Sequence, residues 1–239
     1  MGLRDDVLKS IPYWAKAFTV LSYGAYEKLG LSELGLRNQL ETGICLRLRE
    51  ILMSQGSDVF LNVKGVRFPI FDTDIDVLEF QDNGEVVAYE VKGIRTKRKG
   101  RDGIKVLDGP GALEGADQAL NDLLNGEYTV DYAYLVHPAI MFHGYIIRTA
   151  ITLSKTTPLG YIIVTPTGEL AELVKPKHNP LIKYGKHLSE ISENNLLGVS
   201  PEILRAHLEK EISKLYTIPI NYTPNQLLET YKLLYHQRQ

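Results

Sequence analysis

The residues of this chain best spaced for chemistry are two pairs on neighbouring segments, Asp74 with Asp76 and Glu90 with Lys92. The first segment reads Thr73-Asp74-Ile75-Asp76-Val77-Leu78-Glu79-Phe80 and the second Val86-Val87-Ala88-Tyr89-Glu90-Val91-Lys92. Side chains alternate along a strand, so each pair shares a face. The turn between the segments decides whether the two faces coincide. With a two-residue loop, Asn83-Gly84, Asp76 falls opposite Val91 and the carboxylates point to opposite sides of the sheet. With a three-residue loop, Asp82-Asn83-Gly84, Asp76 falls opposite Glu90 and Asp74 opposite Lys92. Gly84 stands where the longer turn needs a left-handed residue, so the three-residue form is expected. Carboxylates brought that close repel each other. One resolution is a solvated face on which Lys92 offsets the charge. The other is a hard divalent cation held by carboxylate oxygens, with the lysine beside it. Strands this apolar on their other face, with Ile75 and Val77 on one and Tyr89 and Val91 on the other, are central strands covered on both faces, and a covered face favours the cation.

The elements that must position this hairpin follow from periodicity. Ile11, Trp14, Ala15, Phe18, Leu21 and Ala25 form one apolar stripe at helical spacing. A second helix is expected from about Ser32 to Ser54, stopped by Gly56. Strands are expected over Asp58 to Val63 and Val66 to Phe71, around Lys64-Gly65, and then over Thr73 to Phe80 and Glu85 to Lys92. A glycine-rich, charged loop covers Gly93 to Gly111. Helix returns near Ala112 to Asn125, strand at Val130 to His137, and helix at Gly144 to Ser154. Gly160 to Val164 and Glu169 to Val174 form a second hairpin. After the connector Lys175 to Pro180 only helices are expected, with starts at Ser200-Pro201 and Thr223-Pro224-Asn225-Gln226. The predicted fold is mixed α/β: residues 1–175 form a mixed β-sheet flanked by helices, and residues 176–239 a helical C-terminal extension.

Composition narrows the function classes. The 239 residues carry a formal charge of −2, so any contact with a polyanion must come from a local patch. The one cysteine, Cys45, rules out an internal disulfide, a multi-cysteine zinc site and an iron–sulfur cluster, and reads as a small buried hydrophobe. The opening Met1-Gly2-Leu3-Arg4-Asp5-Asp6 is acidic where a signal peptide is basic. No run approaches the roughly 18 to 20 apolar residues of a membrane span. A cytoplasmic protein without a membrane partner is expected.

Asp76, an apolar run, a glycine turn, an apolar strand and then Glu90-Val91-Lys92 resemble the PD-(D/E)XK nuclease superfamily. The similarity extends over about Gln39 to His137, a stretch that resembles archaeal Holliday-junction resolvase and RecB-like nuclease cores. It implies a restriction-endonuclease-like fold and a magnesium- or manganese-dependent nuclease acting on DNA, with RNA left open and a homodimer allowed for. It also implies that Asp76 and Glu90, with the carbonyl of Val91, ligate the metal while Lys92 serves the attacking water. A glutamate on the preceding helix often completes such sites. Glu41 matches the usual spacing better than Glu50, which is the second choice. Gln118 resembles the glutamine of the RecB-like branch, but the tyrosine that often follows four residues later is replaced by Asp122.

Arg95, Lys97, Arg98, Lys99, Arg101 and Lys105 follow directly after Lys92. Lys97, Arg98, Lys99 and Arg101 are the candidates for nucleic-acid contact, holding a phosphate backbone without reading its sequence. His137 and His143 lack partners at zinc-ligand spacing and read as structural. Ser154 and Ser189 sit in no nucleophile elbow. Gly109-Pro110-Gly111 reads as a turn rather than a phosphate loop. A non-catalytic nucleic-acid-binding module with the same fold, and an interaction protein working through its C-terminal helices, are the alternative functions.

Overall fold

The computed structural model describes residues 33–63, 74–125, 128–141, 143–191, 196, 198–215 and 218. The stripe from Ile11 to Ala25, the strand expected at 66–71 with its turn, and the helix start at Thr223 lie outside the described residues.

The architecture is mixed α/β, a mixed sheet flanked by helices. The sheet contains β1 (Asp58–Val63), β2 (Ile75–Phe80), β3 (Val86–Val91), β8 (Tyr132–Pro138), β9 (Gly160–Val164) and β10 (Leu170–Val174), side by side in that order. β1, β2 and β3 form an antiparallel meander, β3, β8 and β9 run parallel, and β10 returns antiparallel to β9. Every residue of β3 is buried. That is the signature of a central strand covered on both faces, and it explains the near-continuous apolar run Val86 to Tyr89. One face of the sheet packs against α2 (Glu41–Ser54), which in turn packs on α5 (Pro201–Leu215). Ile44 and Leu48 from α2 and Leu204 and Leu208 from α5 belong to this apolar layer. The opposite face packs against α3 (Ala116–Asp122) and α4 (His143–Thr156), with Ala119, Ile146 and Leu153 in the second layer.

The single helix expected from Ser32 to Ser54 is two helices, α1 (Glu33–Arg37) and α2. A tertiary demand breaks it. The Gln39 side chain donates to the carbonyls of Asn38 and Val164 and accepts from the amide of Ile140. That bonding fixes the start of α2 to the ends of β8 and β9. Gly43 makes the sharp break sterically open, because a Cβ there would meet the carbonyl oxygen of Arg37 at 1.6 Å. The expected stop at Gly56 is present, with φ at +100°.

The stretch read as a loop after Lys92 is a two-stranded antiparallel ribbon, β4 (Arg95–Lys99) and β5 (Ile104–Asp108). Basic residues have weak strand propensity on their own. Pairing with Ile104-Lys105-Val106-Leu107, whose Val106 and Leu107 are buried, supplies what the local sequence lacks. The helix expected over 112–125 is confined to Ala116–Asp122, because the chain turns through Gly111 to Gly115 first. It is followed by the short strands β6 (Leu124–Asn125) and β7 (Tyr128–Thr129).

The connector after Lys175 leads not to helix but to two 3-10 turns, Ile182–Tyr184 and Leu188–Glu190. Between them lies β11 (Lys186–His187), parallel to β7. Asn179 pins this path by donating to the carbonyls of Leu123 and Val130, both at 2.7 Å. The helix start at Ser200-Pro201 is present as expected, and Arg37 ties α1 to α5 through both carboxylate oxygens of Glu209. Among the described residues no helix is long and apolar enough to cross a membrane.

Candidate functional site

The hairpin turn sets the geometry. Gln81 donates its amide to the carbonyl of Glu85, Gly84 donates to Gln81, and Gly84 sits at φ +86°. The loop is therefore Asp82-Asn83-Gly84, with Phe80 opposite Val86 and Val77 opposite Tyr89. One step further the register brings Asp76 to Glu90. There the ladder ends, and the Asp76 carboxylate enters the gap between the strands. Its Oδ2 accepts the amide N–H of Val91 at 2.7 Å, in place of a ladder hydrogen bond. Val91, whose carbonyl is the predicted ligand, is thus tied to that carboxylate through its amide. Asp74 lies just before the strand and is exposed.

Glu90 is 2% exposed, and its Oε1 lies 2.5 Å from the Lys92 ammonium. Burial, then the charge of Glu90, push the Asp76 carboxyl up to about 8. Burial also pushes Glu90 above the usual carboxylate range, against the pull of Lys92. For Lys92, burial would lower the pKa, but the bond to Glu90 and the charges of Glu90, Asp76 and Glu41 outweigh it and hold the ammonium above its ordinary value. Burial and mutual repulsion therefore oppose ionisation of both carboxyls at once, and a cation between them would relieve that. Cys45 lies close enough to feel the charges of Asp76, Glu41 and Glu90, and burial keeps its thiol protonated.

Glu41 opens α2 and is exposed. It lines a cleft of about 450 Å³ together with Lys92, Arg95, Glu114 and, from α5, His207 and Glu211. Glu50, the second choice, lies nine residues further along the same helix, roughly 13 Å at 1.5 Å per residue. It pairs there with Arg47 and lines a different cavity. The close approach of Glu41 depends on Gly93. A Cβ at that position would stand 2.1 Å from the backbone nitrogen of Glu41 and 2.8 Å from its Cα. Gly93→Ala must push the start of α2 away from Lys92. The expected result is a loss of about 1 to 3 kcal/mol in thermal unfolding, together with a fall in whatever activity depends on Glu41.

Lys92 is set by Gly115, where φ is +84° and a Cβ would come within 2.9 Å of the lysine Cε. Next to it, Glu114 accepts both terminal nitrogens of Arg95 and the amide of Gly111. His137 is structural, as its spacing suggests. Its Nε2 donates to the carbonyl of Glu114 at 2.9 Å, and its Nδ1 accepts from the Tyr161 hydroxyl at 3.1 Å. Burial lowers its pKa to about 4, with Glu114 and Lys92 the charges that act on it. An unfolded histidine takes a proton near pH 6.5. Between there and about 4 the unfolded chain binds more protons, and stability falls as pH falls. Melting curves across that window should show this acid slope in the parent chain and a shallower one in His137→Gln.

The ribbon places the predicted phosphate contacts unequally. Lys97, Arg98, Lys99 and Arg101 are all exposed, but Lys97 pairs with Asp108 at 3.2 Å. Arg98 stands directly opposite Lys105. Gly100 and Gly103, both at positive φ, form the turn at the tip. Gln118 is half-buried on α3, which packs on β3 and β8.

Asp122 is the residue that sequence reasoning noticed only as a missing tyrosine. It is 1% exposed, and both carboxylate oxygens lack a hydrogen-bond partner. Burial, then the charges of Glu90 and Asp76, push its pKa well above the usual range. An unsatisfied buried polar group costs on the order of 1 to 3 kcal/mol, and more when ionised. Among the described residues no group of three or more Asp, Glu, His or Cys side chains stands positioned to hold one metal ion. A cation here would rest on the two carboxylates of Asp76 and Glu90 and on water. That donor set suits magnesium, which takes hard oxygen ligands and keeps much of its hydration.

No protein-family model, curated protein or solved structure matches the chain.

Proposed function

We propose that this chain is a magnesium- or manganese-dependent nuclease with a restriction-endonuclease-like core of the PD-(D/E)XK type, hydrolysing phosphodiester bonds in DNA. The observation that carries this reading is the hairpin register, which brings Asp76 to Glu90 and Lys92 at a strand end beside Glu41. Asp76 and Glu90 would hold the cation, with the Val91 peptide alongside. The cation, when bound, supplies polarisation of the scissile phosphate and a water of lowered pKa.

The remaining work falls to the chain. Lys92 keeps a positive charge on the wall of the cleft, where it can orient a water and meet the negative charge that develops on phosphate oxygens. Its stem is confined by Gly115, so the ammonium is fixed before substrate arrives. Glu41 is exposed and lines the same cleft, which suits accepting a hydrogen bond from a water better than direct ligation. The ribbon leaves the strand that carries Glu90, so phosphate held on it lies over the site.

A binding module without catalysis would place Asp76 and Glu90 near a phosphate backbone for no gain, and their removal would then tighten DNA binding. The deciding experiment incubates the protein with Mg2+ or Mn2+ and a panel of linear, nicked, single-stranded and branched DNAs. Cleavage that disappears with chelator supports the nuclease. Binding without cleavage under every condition overturns it in favour of the module.

A further inference from the structure

Five acidic side chains of the described residues are buried, and four of them are accounted for. Glu79 accepts from the hydroxyls of Ser57 and Tyr89. Asp131 accepts from the amide of Val86 and bonds His187. Asp108 has Lys97, and Glu90 has Lys92. Asp122 has neither a donor nor a cation. The chain does not leave acids bare through any general shortage of donors, so the exception concerns this position. Asp122 ends α3, the helix that packs on β3, and the charges acting most on it are those of Glu90 and Asp76. Asp122 therefore lies within electrostatic reach of the same site, on the helix that packs against the Glu90 strand rather than on the hairpin.

We infer that Asp122 is a third carboxylate of the candidate cation site, acting through water: it accepts hydrogen bonds from the waters of a divalent ion held by Asp76 and Glu90. The inference rests on the metal reading of that site. Direct ligation is disfavoured, because no three such side chains are gathered closely enough to hold one ion. A hydrated magnesium ion brings O–H donors that need acceptors, and Asp122 offers two oxygens that nothing else fills. Carboxylates behind the direct ligands tune such sites, and their loss typically costs about tenfold to a hundredfold in metal affinity.

The test is calorimetric titration of Mn2+ into the full chain at neutral pH, with thermal unfolding with and without the ion. The variants are Asp122→Asn, Glu90→Gln and Asp117→Asn. Asp117 is an exposed acid on the same helix and reports any general field effect. The expected result is a tenfold or greater loss of affinity in Asp122→Asn and a clearly smaller one in Asp117→Asn, whose charge also acts on Glu90. Without metal, Asp122→Asn should melt close to the parent chain, because one neutral unpartnered polar group replaces another. Parent-like Mn2+ affinity in Asp122→Asn beside a clear loss in Glu90→Gln would overturn the inference and leave the metal centre standing. Equal losses in Asp122→Asn and Asp117→Asn would reduce it to a field effect. A metal-free Asp122→Asn chain that melts clearly lower than the parent would mark the carboxylate as a structural partner instead. If the parent chain takes up no Mn2+, the metal reading itself fails, and this inference with it.

Discussion

Lys92→Ala should produce a protein that takes up Mg2+ at least as well as the parent chain and cleaves DNA roughly a hundred to a thousand times more slowly. The two effects separate because, among the described residues, Lys92 is the cation paired with Glu90, at 2.5 Å. Its loss raises the proton affinity of the carboxylates too, but a divalent ion gains twice what a proton gains from the same change in field. Asp76→Asn and Glu90→Gln should behave in the opposite way, losing metal uptake and cleavage together. Their metal-free forms should melt higher, because in each parent carboxyl burial already opposes ionisation. Glu41→Ala should cost less than either, since Glu41 is exposed where it lines the cleft. Glu50→Ala should cost almost nothing, because Glu50 is paired with Arg47 away from the site. Magnesium titration beside a cleavage assay on all five variants reads the pattern. Full activity in both Glu90→Gln and Lys92→Ala would end the nuclease reading. Equal losses at Glu41 and Glu50 would remove the role given to the α2 N-terminus.

The parts of this site that could be read from the sequence are those decided locally. Asp82-Asn83-Gly84 carries its own turn geometry, so the register of Asp76 against Glu90 follows from three residues and the two-residue period of a strand. The β3 burial follows from an unbroken apolar run. What could not be read depends on partners distant in the chain. The break between α1 and α2 exists because Gln39 bonds groups at positions 140 and 164, and no local signal announces that. The ribbon was hidden because a basic run has little strand preference until Val106 and Leu107 bury its base. Asp122 was hidden by helix phase. A helix drawn from Ala112 gives no reason to turn position 122 inward. A helix that starts at Ala116 after the left-handed Gly115 puts Ala119 and Asp122 on the sheet side, three residues apart. The acid near the site could therefore be recognised only once that turn was known.

Neutralising Lys97, Arg98, Lys99 and Arg101 together should weaken binding to every DNA sequence by a similar factor and flatten its salt dependence. Each phosphate contact contributes about −0.9 to the slope of log affinity against log salt on duplex DNA. Four lost contacts should therefore change the drop between about 50 and 200 mM salt by roughly a hundredfold. The four should not contribute equally. Lys97 already faces Asp108, a buried acid, so its replacement also removes a cationic partner from that acid at the base of the ribbon and should lower stability. Arg98 faces Lys105 across the strands, and like charges directly opposite destabilise a ribbon. An anion lying across the pair removes that repulsion, so the arrangement is worse for the free protein and better for the complex. Arg98→Gln alone should therefore raise the melting temperature slightly while it weakens DNA binding, the opposite pairing of effects to Lys97→Gln. Fluorescence anisotropy over a salt series on two unrelated duplexes, beside melting curves, measures all of this. An unchanged slope, or a loss confined to one duplex, would mean that the ribbon does not clamp phosphate.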